Sequence, residues 1–152
     1  MSEGIGARVL RKEDKRFITG KGRYTDDIIE ANQAYAAFVR SPHAHARIVS
    51  LDTSAALAME GVETVLTGPE LVADGIGNII CGWGITSKDG TPMNMGAWSA
   101  LATEKVRYVG DAVAIVVADS KSQAKLAAEA VVVTYEELPV VVGSVEALAP
   151  GA

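Results

Sequence analysis

Apolar and polar positions change their period several times along the chain, and the changes mark out its elements. Tyr35-Ala-Ala-Phe-Val-Arg40 is rich in aromatic and β-branched residues and ends at Ser41-Pro42, where a proline cannot continue a ladder, so it predicts a strand. Ala46-Arg-Ile-Val-Ser-Leu-Asp52 predicts a second strand, and the break at Pro42 suits a reversal between the two. Thr53 or Ser54 can cap a helix over Ala55–Glu60, built from good helix formers and stopped by Gly61. Val62–Leu66 alternates as a strand does. Thr67-Gly-Pro-Glu70 then places a proline where a first helical turn tolerates one, and Leu71–Asp74 completes a brief helix before Gly75.

The last third is the most regular. Val106–Val109, the turn pair Gly110-Asp111 and Ala112–Ala118 predict a strand entering a second, more buried one. Ser120 with Gln123 fits a capping box, and Ala124, Ala127, Ala128 and Val131 recur at i, i+3, i+4 and i+7, the small face of a helix packed closely on a sheet. Val131–Tyr135 follows as a strand, Glu136 and Glu137 open a turn, and Leu138-Pro139 ends regular pairing. Helices between sheet strands make an α/β or α+β sandwich. Between the regular parts, Gly75–Ser99 holds Gly75, Gly77, Gly82, Gly84, Gly90, Gly96 and Pro92, so long elements should not persist there. That segment also carries Trp83, Trp98, Met93 and Met95. The plainer expectation is that these tuck back onto the core; the alternative is a surface covered by a partner.

Composition narrows the classes. At 152 residues and 49% hydrophobic, the chain can build a core without staples, and the single Cys81 cannot form a bridge within it. The longest apolar run, Ala112–Ala118, is far below the ~20 residues of a membrane-spanning helix, and Met1–Lys15 has no apolar stretch of a secretory signal, so a cytoplasmic protein is expected. Seven of the 14 basic residues lie between Arg8 and Arg23 against Glu13 and Asp14 alone, which makes that span +5 and, from a total of −5, leaves −10 on the rest. This basic arm, 1–18, has one aromatic, Phe17, and sits on a chain of pI near 5.0, which argues against nucleic-acid binding. It is either a solvated arm or an electrostatic dock for an acidic partner.

Chemical motifs are sparse. Gly4-Ile-Gly6-Ala-Arg-Val9 lacks the third glycine and the preceding strand of a dinucleotide fingerprint, and Gly20-Lys-Gly22 lacks the spacing and hydroxyl of a phosphate loop. His43 and His45, two apart, would share a face if extended, but a third ligand is not evident beyond Asp52 or Cys81, which sequence does not bring near. Asp26-Asp27 reads as a turn rather than a carboxylate pair. Cys81 has no neighbouring base and reads as a buried or inert thiol. Asp111 reads as shaping a turn, or as binding a backbone amide at an interface. No nucleophile, base and orienter assemble from what remains.

Thr19-Gly-Lys-Gly-Arg-Tyr-Thr-Asp-Asp27, Phe38-Val-Arg-Ser-Pro-His-Ala-His-Ala-Arg-Ile48 and Val106-Arg-Tyr-Val-Gly-Asp-Ala-Val-Ala114 resemble the N-terminal α/β-hammerhead domain of molybdenum hydroxylase large subunits, the xanthine dehydrogenase, aldehyde oxidase and carbon monoxide dehydrogenase family. The similarity continues through Ala124–Val131 and Val133–Pro139 and covers Gly6 to Ala147. It implies an α+β fold, a small mixed sheet with helices packed on it, over a single domain 1–152 in which 143–152 starts an interdomain linker. The chain is thus expected to be a fragment or a separately encoded piece. The resemblance further implies an oxidoreductase that hydroxylates carbon with water, or oxidises carbon monoxide, using a molybdopterin cofactor, iron-sulfur clusters and FAD. It carries over no catalytic, cofactor-binding or metal-binding residue, because the family's pocket, catalytic glutamate and metal-side cysteine loop lie in later domains. A non-catalytic structural and docking role is expected, toward the cofactor-binding domains of the large subunit and the iron-sulfur and flavin subunits. The expected surfaces are Arg11 and Arg16 on the arm, Arg40, His43 and His45, the loop of Trp83 and Trp98, and Asp111. The rivals are a stand-alone interaction module that kept the fold and lost the enzyme, and an independent metalloenzyme built on His43 and His45.

Overall fold

The computed structural model describes residues 4–6 and 9–151; Arg8 of the basic arm and Ala152 lie outside the described residues. The chain gathers into two compact units, one ending at Gln33 and one beginning at Ala34. In the first, α1 (Asp14–Ile18) and a single 3₁₀ turn, Thr25–Asp27, bury no residue. Arg11 pairs with Asp14 at 2.8 Å, and Phe17 stacks on Tyr24 with centroids 5.5 Å apart while the Arg16 guanidinium lies 5.0 Å over the Phe17 ring. Asp27 accepts from the Tyr24 backbone amide at 2.9 Å, as the turn reading of Asp26-Asp27 requires.

The second unit contains β1 (Tyr35–Arg40), β2 (Ala46–Asp52), α2 (Ser54–Leu57), β3 (Val62–Thr67), α3 (Gly68–Ala73), β4 (Lys105–Val106), β5 (Ala112–Ala118), α4 (Lys121–Ala130) and β6 (Val132–Glu137). The expected α+β class holds, with a refinement of the single mixed sheet: there are two three-stranded sheets, β1-β5-β3 and β4-β2-β6, and every pairing is antiparallel. The reversal at Ser41-Pro42 therefore carries the chain from one sheet to the other instead of closing a hairpin.

β5, seven apolar residues without a charge, is the central strand, paired along both edges with β1 and β3; Val113, Ala114 and Val116 are fully buried. α4 starts at Ser120, whose Oγ accepts from the Gln123 amide, and its Ala124 and Ala127 pack flat on the sheet. One core cluster holds Ala56, Val65, Ala114, Val116, Ala127 and Val131, the other Ala46, Ala102, Val106 and Val113. Val39, Leu51 and Val133 touch both, so the two sheets share apolar contacts. In α3 the Thr67 amide and hydroxyl both donate to Glu70 Oε2 at 2.7 Å, closing the helix start predicted around Pro69.

Several boundaries move for identifiable reasons. The strand expected over Val106–Val109 is only Lys105–Val106, because the Arg107 amide donates to the Asp111 carboxylate at 3.0 Å and the Gly110 amide to the Ser41 carbonyl at 2.8 Å, which commits the backbone to a turn. The helix expected over Ala55–Glu60 stops at Leu57, where the tighter Met59-to-Ala56 and Val62-to-Met59 bonds lead into Gly61 at φ +78°. β6 runs on through Glu136 and Glu137, expected in a turn, because they pair with Arg47 and Ala46, and the Arg47 and Glu136 side chains meet at 3.6 Å. Among the described residues no helix is long and apolar enough to cross a membrane.

Candidate docking surfaces

The functional candidates fall on the turns that leave the sheets. Ser41 is the buried polar residue of the described chain, at 2% exposure. Its hydroxyl accepts from the His43 amide at 3.0 Å and donates to the His43 carbonyl at 3.2 Å, while its backbone bonds Asp111 and Gly110. Arg40 donates to the Gly110 carbonyl at 2.8 Å. Arg40, Ser41, His43 and Asp111 are therefore brought together where the turn after β1 meets the turn before β5. Asp111 binds a backbone amide, but one of its own turn.

Beside this junction lies a pocket of ≈160 Å³ lined by Trp98, Tyr108, Arg107 and Asp111, in which the Trp98 and Tyr108 rings stand 6.2 Å apart. Desolvation, then the Asp111 charge and its hydrogen bond, push the Tyr108 phenol above its ordinary 10.0, against the opposing pull of Arg40. Tyr135 is raised for the same first reason, and its bond with Ser41 works the other way. Tyr108, Arg107 and Tyr135 are site residues that sequence reasoning missed. Tyr108 was assigned to a strand; its place beside Gly110-Asp111 was the available signal.

The two histidines do not act together. The stretch between β1 and β2 is not extended, so the alternation that would align them is lost. His43 Nδ1 faces Glu137 at 3.4 Å with its ring 4.9 Å from Tyr135, whereas His45 Nδ1 lies 2.7 Å from the Pro139 carbonyl, an acceptor that requires the proton on that nitrogen. Among the described residues no three His, Cys, Asp or Glu side chains gather around a common point.

The glycine-rich segment is irregular, as expected, holding one isolated bridge between Thr86 and Pro92. The expectation that its large side chains tuck onto the core is overturned: Trp83 is 77% exposed and Trp98 59%. Ile79, Ile80, Ile85 and Met95 are exposed with them. The segment closes on itself, through the Ile79 amide to Trp98 and the Met93 amide to Ile85, instead of lying on a sheet. Cys81, expected to be buried or inert, is exposed, its Sγ 3.6 Å from the Trp83 carbonyl.

Every buried polar side-chain atom of the described residues already has a partner, and Ser41 is occupied by its own turn. What the fold and its surfaces define is an α+β module with large exposed apolar groups. Residues 19–139 match the family described as aldehyde oxidase and xanthine dehydrogenase, a/b hammerhead domain, and the chain belongs to that family. It is 43% identical over 150 residues to the carbon monoxide dehydrogenase large chain of Hydrogenophaga pseudoflava, covering 98% of this chain and 17% of that protein. To the nicotine 6-hydroxylase large subunit of Paenarthrobacter nicotinovorans it is 43% identical over 137 residues, covering 90% and 16%. The solved quinoline 2-oxidoreductase of Pseudomonas putida 86 superposes with a TM-score of 0.82 at 40% identity, over 97% of this chain and 18% of that one. The chain thus spans about a sixth of the length of these relatives, which include a large chain and a large subunit of enzymes.

Proposed function

We propose that this chain is the non-catalytic structural and docking domain of the large subunit of a cytoplasmic molybdenum-dependent hydroxylase or dehydrogenase. In this reading the molybdopterin cofactor, iron-sulfur clusters and FAD are held by the rest of the large subunit and by iron-sulfur and flavin subunits. This domain supplies the surface they assemble on. The observation that carries the reading is the segment 75–99, which presents Trp83 at 77% and Trp98 at 59% exposure in a chain matching only 17% of a relative's length. Large apolar side chains exposed along one segment suit an interface, and tryptophans are enriched among the residues that dominate binding energy. Arg40, His43, His45 and Asp111 border that surface in the proposal, and Arg11 and Arg16 form a separate basic contact for an acidic partner.

The test is to substitute Trp83→Ser and Trp98→Ser in the complex purified with its companion polypeptides. Circular dichroism should be unchanged, while co-purifying polypeptides, molybdenum and iron all fall, since truncating a tryptophan at an interface centre costs about 2 kcal/mol or more. Loss of the fold would place the tryptophans in a core. Full retention of partners would remove this segment from the interface, and a wild-type chain that purifies alone and without metal would favour a stand-alone interaction module.

A further inference from the structure

We infer that the outer face of the β1-β5-β3 sheet is a second, permanent interface, covered by an aliphatic layer of the same large chain. The inference rests on the proposed function for the identity of that chain. In the antiparallel register Phe38 lies opposite Ile115 and Ile115 opposite Leu66, while Ala36 lies opposite Val117 and Val117 opposite Thr64. Directly opposed residues project to the same side, so these six form two rows on one face. The alternate positions, Val65, Ala114 and Val116, point the other way and are covered by Ala127 of α4. Among the described residues of this unit the outer rows stay open at β1: Phe38 is 47% exposed and Ala36 is exposed, while the other four are half-buried.

The second sheet supplies an internal control. Its outward side carries the charged row Lys105, Arg47 and Glu136, then Ser50 opposite Thr134 and Asp52 opposite the exposed Val132, a largely polar and charged face suited to water. The six residues of the outer rows carry no charge; Arg40 stands at their border with its guanidinium 5.2 Å over the Phe38 ring, and exposed Glu63 at the register shift beside Thr64. An uncharged centre with a charged border is the anatomy of a buried interface, and so apolar a centre suits an obligate partner over one that comes and goes. A covering layer must itself be uncharged. The remaining length of a large chain meets the requirement best: the structural relative is covered over only 18% of its length, and a layer on the same polypeptide is held at high effective concentration.

Hydroxyl-radical footprinting of the assembled complex, with this domain in its full large chain, tests the inference. The readout is the modification of Phe38 relative to the urea-unfolded complex. An uncovered face at 47% exposure predicts about half the unfolded value, whereas a covered one predicts about a tenth or less. Val49 on the charged-faced sheet, 60% exposed, is the internal reference. Modification of Phe38 near half would overturn the inference. So would protection that disappears when the large chain is purified without its companion subunits, since another subunit would then be the cover. Molybdenum measured in the same sample reports on the proposed function separately: a protected Phe38 in a molybdenum-free assembly overturns that function and keeps this interface, and an open Phe38 in a molybdenum-containing one does the reverse.

Discussion

Replacing Gly68 by alanine isolates what holds α3 against the 101–102 segment. Propensity alone predicts a gain, since alanine is favoured over glycine by up to ~1 kcal/mol within a helix. The structure predicts a loss. A Cβ built on Gly68 would lie 2.3 Å from the Ala102 carbonyl oxygen, 2.8 Å from its carbon and 3.0 Å from the Leu101 oxygen. Real Cβ atoms do not approach below 3.0 Å, so one side must retreat by at least 0.7 Å, the difference between 3.0 and 2.3. The obstacle is backbone and cannot swing aside as a flexible side chain would. Its neighbours Leu101 and Ala102 are 3% and 7% exposed, and the Ala102 amide is tied to Ala112 at 2.7 Å. Overpacking of this kind costs ~1–3 kcal/mol, and strained contact with fixed backbone belongs at the upper end. After the propensity gain the net loss is about 2 kcal/mol, or ~4–8 °C in Tm for a chain of this size. Urea denaturation followed by circular dichroism should show a lower midpoint at unchanged slope. Gly82→Ala is the control, because its Cβ would meet nothing within 4 Å, and it should stay within ~0.5 kcal/mol of wild type. A Gly68→Ala midpoint equal to that of Gly82→Ala, or above wild type, would refute the steric argument.

Gly61→Ala should cost about 1–2 kcal/mol in the same assay, because φ is +78° there and the new Cβ would displace the Gln123 side chain from its bond to the Glu60 carbonyl. Val116→Ala, in the fully buried centre of β5, should cost about 2 kcal/mol, whereas Val132→Ala at a 60% exposed site should cost under ~0.5 kcal/mol; equal effects would mean β5 is not the core strand. Asp111→Asn should move the ionisation of Tyr108, and to a lesser extent Tyr135, to lower pH in an ultraviolet titration, since the Asp111 charge contributes to raising both. For wild type the sign of the linkage follows. Both phenols sit above 10.0 when folded, so the fold favours their neutral form, and their contribution is whole below pH 10 and declines as pH rises past it; a denaturation midpoint that increases across that range would contradict this.

The parts of the fold legible in the sequence are those where a local rule and the packing agree. The capping pairs Thr67/Glu70 and Ser120/Gln123 were readable from spacing and are made as bonds, and the small face of Ala124 and Ala127 announced close contact with a sheet. Strand pairing was not readable. The turn residues around Pro42 and Gly110 suit hairpins, yet each turn transfers the chain between sheets, and only the bonds between Ser41 and residues 110–111 distinguish the two outcomes. Those bonds link positions 70 apart, beyond the reach of periodicity.

Docking surfaces are only partly legible in the sequence, for a deeper reason. Apolar patterning reports burial without saying whether the cover comes from this chain or from another. From the sequence Trp83 and Trp98 read either as core, because large aromatics are ordinarily covered, or as a surface covered by a partner, and Phe38 reads as one residue of a good strand. The fold separates the cases. It leaves the tryptophans exposed on a segment that bonds to itself and Phe38 half exposed on its sheet, while supplying a charged outward row on the neighbouring sheet. A sequence that places charge on one sheet face and withholds it from another distinguishes between a face meant for water and a face meant for protein. That contrast, taken with a chain spanning about a sixth of its relatives' length, is what the proposed assembly into a larger polypeptide rests on.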